Sequence, residues 1–111
     1  MEKYDVIIIG AGVVGCLTAR TLSKYKLSVL LVEKEADIGN GASCANSAIV
    51  HAGYDPLPGT LKAEMNVLGN QMWDELSGEL SFDYNRSGDY VVAIGPQELR
   101  SLEKLLEQGR R

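Results

Sequence analysis

Cysteine is scarce in this 111-residue sequence, with only Cys16 and Cys44 present. They form neither a C-x-x-C pair nor a metal-ligand pattern, which excludes a disulfide scaffold and makes a reducing cytoplasm the default compartment. A surplus of positive charge is also missing: the formal net charge is −4, with acids and bases interspersed. Without a basic stripe or an aromatic-rich patch, nucleic acid is excluded as a partner. No apolar run approaches the ~20 residues of a membrane span. What remains is a chain 45% hydrophobic and 23% charged, the balance of one small domain with a real core.

The opening stretch admits two readings. Val13-Val14-Gly15-Cys16 has the look of a lipobox, at which a secreted lipoprotein is cleaved before its cysteine. The leader is wrong for that. Met1-Glu2-Lys3-Tyr4-Asp5 carries two acids against one base, and Gly10 and Gly12 interrupt the apolar region. The other reading fits at every step. Tyr4 to Ile9 is a run rich in isoleucine and valine, as in a strand buried on both faces of a parallel sheet. It leads into Gly10-Ala11-Gly12-Val13-Val14-Gly15, a complete G-x-G-x-x-G. Gly10 permits the tight turn, Gly12 lets the backbone approach a pyrophosphate, and Gly15 lets the next helix pack closely on the strand. That helix is expected from Val13 to Lys24, its N-terminus aiming unpaired N–H groups and positive dipole at the phosphates. A second strand, Leu27 to Val32, ends at Glu33, 18 residues after Gly15. An acid there accepts hydrogen bonds from ribose hydroxyls and repels a 2′-phosphate.

A loop of small and polar residues follows, from Glu33 to Ser47, and then Ala48-Ile49-Val50-His51-Ala52-Gly53-Tyr54. With "NSAIVHAG" from Asn46 and "PGTLKA" from Pro58, the chain resembles the FAD-dependent oxidoreductases of the D-amino-acid oxidase superfamily. It is most similar to the glycerol-3-phosphate dehydrogenase and L-2-hydroxyglutarate dehydrogenase members. Ala48 departs from the pattern, which usually has glycine. The resemblance implies FAD as cofactor and an α/β fold: the N-terminal βαβ part of a Rossmann-like FAD-binding domain, followed by the start of a substrate-domain β-hairpin. It places Ser43, Asn46 and Ser47 along the pyrophosphate and ribityl chain and His51 close to the isoalloxazine ring. The expected cofactor-binding set is therefore Gly10, Ala11, Gly12, Val13, Val14, Gly15, Glu33, Lys34, Ser43, Asn46, Ser47 and His51. His51, the single histidine, is also the candidate catalytic base; a structural histidine holding its loop is the competing reading.

Thr60 to Leu76 reads as a helix with Thr60 as N-cap and an apolar stripe of Leu61, Met65, Leu68, Met72 and Leu76, extended by Trp73 and assigned to the core. Phe82 to Arg86 and Asp89 to Ile94 flank Ser87-Gly88 as a hairpin. Arg86 is read as a solvated strand residue in preference to a substrate-anion ligand. A last helix starts at Pro96, carries Leu99, Leu102, Leu105 and Leu106, and stops at Gly109.

No third nucleotide-domain strand is visible. The expectation is an N-terminal fragment of a larger flavoenzyme, residues 1–76 opening its FAD-binding domain and 77–111 its substrate domain. Arg110-Arg111 suits cleavage by a basic-specific protease, and exposed strand edges in an isolated fragment lead to self-association. The expected parent oxidises a secondary alcohol such as glycerol 3-phosphate by hydride transfer to flavin N5, with a 2-hydroxy acid or an amino acid as alternative substrates. It is expected to be cytoplasmic, with peripheral membrane contact left open; the rival from another class is a non-catalytic nucleotide-binding module.

Overall fold

The computed structural model describes residues 2–110, so Arg111 of the expected cleavage site and Met1 of the lipobox leader lie outside it. The chain divides into two compact units, Met1–Ile49 and Val50–Arg111.

The first unit is a βαβ crossover. Strand β1 (Val6–Ile9), helix α1 (Val13–Leu22) and strand β2 (Val29–Val32) follow in order, and the strands pair parallel from Val6↔Val29 to Ile9↔Val32. The entry to the sheet is locked by Asp5 and Ser28. The Asp5 carboxylate accepts from the Ser28 N–H at 2.8 Å and from its hydroxyl at 2.7 Å. These two bonds hold the Asp5 carboxyl below its ordinary 3.8. At the exit the Gly10 N–H donates to Val32 O at 2.7 Å, so the ladder runs up to the turn. Helix α1 ends two residues before Lys24, because Ser23, Lys24 and Tyr25 turn back on Ala19, Thr21 and Leu22 through their N–H groups.

The strands are not buried on both faces. Side chains alternate along β1: Val6 and Ile8 are half-buried, whereas Ile7 and Ile9 are 58% and 88% exposed. Helix α1 packs against the sheet, and within the described residues of this unit no second helix covers the Ile7–Ile9 side. Gly15 shows how close that packing is. A Cβ there would collide with the Gly10 carbonyl oxygen and lie 3.5 Å from Ile8 Cγ2.

The second unit holds helices α2 (Leu61–Leu80) and α3 (Pro96–Gly109). The Thr60 hydroxyl accepts from the Ala63 N–H at 3.3 Å and caps α2 as its sequence implies. The helix runs four residues beyond Leu76 and ends at Ser81 in a left-handed conformation. Its apolar stripe is not core. Leu61, Met65, Leu68 and Met72 are exposed, and the half-buried face is Ala63, Asn66, Asn70, Trp73 and Ser77, with Leu76 at its edge. The same 3.6-residue period carries two stripes, and the loops of this unit pack on the smaller, more polar one.

The expected hairpin over Phe82 to Ile94 is not formed: those residues are neither helix nor strand, although Gly88 has the positive φ of a turn. Their side chains bind α2 instead. Phe82 meets Trp73 edge-on at 5.5 Å, and Tyr84 stacks on it at 5.8 Å. Arg86 pairs with Asp74 at 2.8 Å, so this arginine is half-solvated but ion-paired. An isolated two-stranded ribbon is marginal in water, and contacts to a preformed helix outcompete it.

Helix α2 offers a direct test of its glycines. Gly69 sits mid-helix with nothing within 4 Å of where a Cβ would stand, so Gly69→Ala is expected to stabilise unit two by about 0.5–1 kcal/mol. Gly15→Ala is expected to abolish cooperative folding of unit one. Urea denaturation of both variants checks the pair.

Candidate cofactor-binding turn

The turn between β1 and α1 presents backbone and no side chain of its own at Gly10, Gly12 and Gly15. Gly10 takes φ +100, a region that an L side chain disfavours, and delivers the chain into Ala11, which is buried to 1% exposure. Ala11 is pinned by both backbone groups. Its carbonyl accepts from the Gly39 N–H at 3.0 Å, and its N–H donates to Glu33 Oε2 at 2.7 Å.

Glu33 stands one residue past β2, where the parallel register brings the tip of β2 beside the turn after β1. Oε2 takes the Ala11 N–H; Oε1 takes the N–H groups of Lys34 at 2.8 Å and Glu35 at 3.1 Å. These bonds, that of Ala11 foremost, hold the carboxyl below its ordinary 4.5, assisted by the Lys34 charge and opposed by desolvation. A carboxylate offers about four acceptor lone pairs, and three N–H groups occupy three of them. One acceptor position remains for a ligand hydroxyl.

Ser43 arrives from the loop after β2. Its hydroxyl accepts from the Val13 N–H at 2.8 Å and would lie 3.1 Å from a Cβ on Gly12. A helix start leaves its first N–H groups without intrahelical partners, and Gly12 as N-cap has no side chain to offer them. Ser43 supplies the missing cap from 30 residues away. Asn46 braces the same loop: its amide donates to the Ser43 carbonyl at 2.8 Å and accepts from the Ala48 N–H at 2.8 Å. That brace holds Ala48 at φ +55. The position where similar sequences carry glycine is therefore one that requires a left-handed backbone, and alanine bears strain there. Ser47 and Lys34 are exposed; the Lys34 ammonium lies 3.3 Å from Glu35.

The structure thus gathers Gly10 to Gly15 with Glu33 and Ser43, and joins Asn46 to them through the loop. His51 belongs to the second unit, where its carbonyl accepts from the Asn70 side chain at 3.0 Å. That bond, the long-range cap by Ser43 and the brace by Asn46 were not foreseen, because each joins segments with no shared periodicity. The left-handed Ala48 had a signal in the glycine expected there. The second unit also contains a cavity of about 570 Å³ lined by Tyr54, Pro56, Pro58, Thr60, Glu64 and Gln108, none of them in the expected set. Among the described residues no cluster of three or more His, Cys, Asp or Glu gathers to hold a metal, and no helix is long and apolar enough to cross a membrane.

The sequence profile of the family described as FAD dependent oxidoreductase matches residues 5–111. The chain is 57% identical over 106 residues to a glycerol 3-phosphate dehydrogenase of Caloramator mitchellensis, covering 96% of this chain and 22% of that protein. It is 38% identical over 112 residues to the mitochondrial L-2-hydroxyglutarate dehydrogenase of Caenorhabditis elegans, covering 99% and 26% respectively. Among solved structures it resembles the dithionite-reduced L-alpha-glycerophosphate oxidase of Mycoplasma pneumoniae with FAD bound. There the TM-score is 0.78 and the identity 36%, over 99% of this chain and 29% of that one. The chain thus spans about a quarter of the length of the relatives it matches.

Two outcomes follow from the turn's geometry. Ala48→Gly relieves a left-handed alanine and is expected to stabilise unit one by about 0.5–1 kcal/mol, net of the greater unfolded-state entropy of glycine, as read by thermal melting. Because the folded Glu33 carboxyl is depressed below 4.5, its contribution to stability is present above that value and is lost as pH falls through the folded pKa. The Ala11 amide-proton resonance is expected to titrate with a midpoint below 4.5, and in Glu33→Gln not to titrate at all.

Proposed function

The chain belongs to the family of FAD dependent oxidoreductases, and from that premise we propose that it is the FAD-binding portion of a longer dehydrogenase that oxidises the secondary alcohol of glycerol 3-phosphate. The observation that carries the cofactor assignment is the glycine turn set between Glu33 and Ser43, with one carboxylate acceptor position left over. The substrate assignment rests on the 57% identity to a glycerol 3-phosphate dehydrogenase, against 38% to an L-2-hydroxyglutarate dehydrogenase.

The residues fit the group. Glu33 would accept from one adenosine ribose hydroxyl with its remaining acceptor position and disfavours a 2′-phosphate. Gly10, Ala11, Gly12, Val13, Val14 and Gly15 would hold the pyrophosphate at the start of α1, where the helix dipole favours an anion and the Ser43 hydroxyl stands beside Gly12. Ser43 and Ser47 supply hydroxyls along the chain of the cofactor, Asn46 holds their loop in shape, and Lys34 adds positive charge at the β2 tip. FAD, when bound, supplies the two-electron acceptor. His51 would stand close to the flavin, where an imidazole nitrogen could accept the substrate's hydroxyl proton.

In this reading residues 1–76 contribute to the FAD-binding domain and 77–111 open the substrate domain of a cytoplasmic enzyme with a small-molecule substrate. The exposed Ile7 and Ile9 support a longer chain, since apolar side chains of this size on a sheet face call for a cover; without it, the chain associates with itself.

The deciding experiment uses the complete enzyme that contains this chain, loaded with FAD under anaerobic conditions. Glycerol 3-phosphate is expected to bleach the flavin absorption. Bleaching by L-2-hydroxyglutarate or an amino acid alone would move the substrate assignment, and bleaching by none would favour a non-catalytic module. Glu33→Ala is expected to weaken FAD binding by about 10- to 100-fold, the loss of one charge-assisted hydrogen bond. An unchanged affinity removes Glu33 from the site.

A further inference from the structure

We propose that Asn70, oriented by Arg86, is a positioning residue for His51. The inference rests on the assignment of His51 to the flavin site and identifies what aims that residue. All the groups lie in the second unit. Asn70 and Asp74 are one helical turn apart on α2, and the Arg86 guanidinium spans them. Its Nε and Nη2 donate to the Asp74 carboxylate at 2.8–3.0 Å, Nη1 donates to Asn70 Oδ1 at 3.0 Å, and Nη2 reaches the Asn70 carbonyl at 3.1 Å. The guanidinium carbon lies 5.6 Å from the centre of the Tyr84 ring, which is itself stacked on Trp73.

This arrangement decides which way the Asn70 amide faces. A guanidinium is a donor without acceptors, so it fixes the oxygen end of the amide against itself. The Nδ2 end is left to donate, and it donates to the His51 carbonyl at 3.0 Å. An arginine tied only to Asp74 would fasten the 82–86 segment to α2 equally well. The bond to Asn70 Oδ1 adds directionality that this fastening does not need. Its effect falls on the peptide unit that follows the His51 Cα: with that carbonyl held, the backbone rotation that swings the exposed imidazole is restricted. His51 sits in a loop without helix or strand, where nothing in local secondary structure would otherwise fix it. Asp74, held below its ordinary 3.8 by the Arg86 hydrogen bonds, stays ionised and keeps the guanidinium in place.

The test is a double-mutant cycle between Asn70 and His51 in the complete FAD-loaded enzyme. It is read by flavin absorption and by the rate of flavin reduction with glycerol 3-phosphate. Asn70→Leu keeps the volume and removes both hydrogen bonds; Asn70→Asp keeps an acceptor for Arg86 but has no N–H for His51, and it decides the matter if the leucine variant does not fold. Each is expected to lower kcat by about 10- to 100-fold, the scale of a misplaced catalytic group, with little change in KM. Each is also expected to shift the flavin band in the same sense as His51→Ala. In the His51→Ala background, both effects of the Asn70 changes should vanish. Losses that multiply in the double variant, or an Asn70 variant that leaves rate and spectrum unchanged while His51→Ala alters them, overturn the positioning role alone. If His51→Ala changes neither readout, the flavin assignment of His51 falls and the positioning role falls with it.

Discussion

Three backbone N–H groups converge on one carboxylate, and the first unit is organised around it. The Glu33 side chain holds Ala11, Lys34 and Glu35 at once, which couples the turn after β1 to the end of β2. Both strands are only four residues long, too short for the ladder alone to set where the chain goes next. With Ala11 fixed, Gly10 can take its positive φ, the Ala11 carbonyl can receive Gly39, and the following loop arrives where Ser43 meets the first helical N–H. Removing the charge would not erase one contact; it would release a buried N–H and the loop hung on it.

In the proposed site the same carboxylate would serve protein and cofactor, a matter of lone-pair arithmetic. A residue reserved wholly for ribose would leave the Ala11 N–H unsatisfied at a position that is only 1% exposed. A residue spent wholly on the backbone would read nothing. On the proposed function Glu33 divides its acceptors, so that the shape of the turn and the choice of nucleotide would answer to one side chain. Ser43 shares this economy, since its hydroxyl caps the helix and lies beside the glycine that a phosphate would approach.

Much of the first unit was legible because its signals are local. The isoleucine-rich run, the spaced glycines, the second apolar run and its terminal acid all sit within a few residues of the structure they dictate. The second unit was legible only at its helix starts, where Thr60 and Pro96 act on their own neighbours. Which stripe of α2 is covered was not, because periodicity reports that a face exists and not what lies against it. The misread 82–94 segment has the same origin. Ser87-Gly88 carries a true turn signal, yet Phe82, Tyr84 and Arg86 find Trp73, Asp74 and Asn70 on a helix, and those partners are invisible to any pattern within the segment.

The two stripes of α2 carry a calorimetric consequence. Unfolding raises heat capacity mainly by wetting apolar surface, and Leu61, Met65, Leu68 and Met72 are already exposed in the folded helix. At 45–70% exposure they gain less hydration when α2 melts than a covered stripe would, so this helix contributes a shallower temperature dependence. A cover over that stripe would give α2 a sharply curved stability dome, trading indifference to temperature for a pronounced optimum.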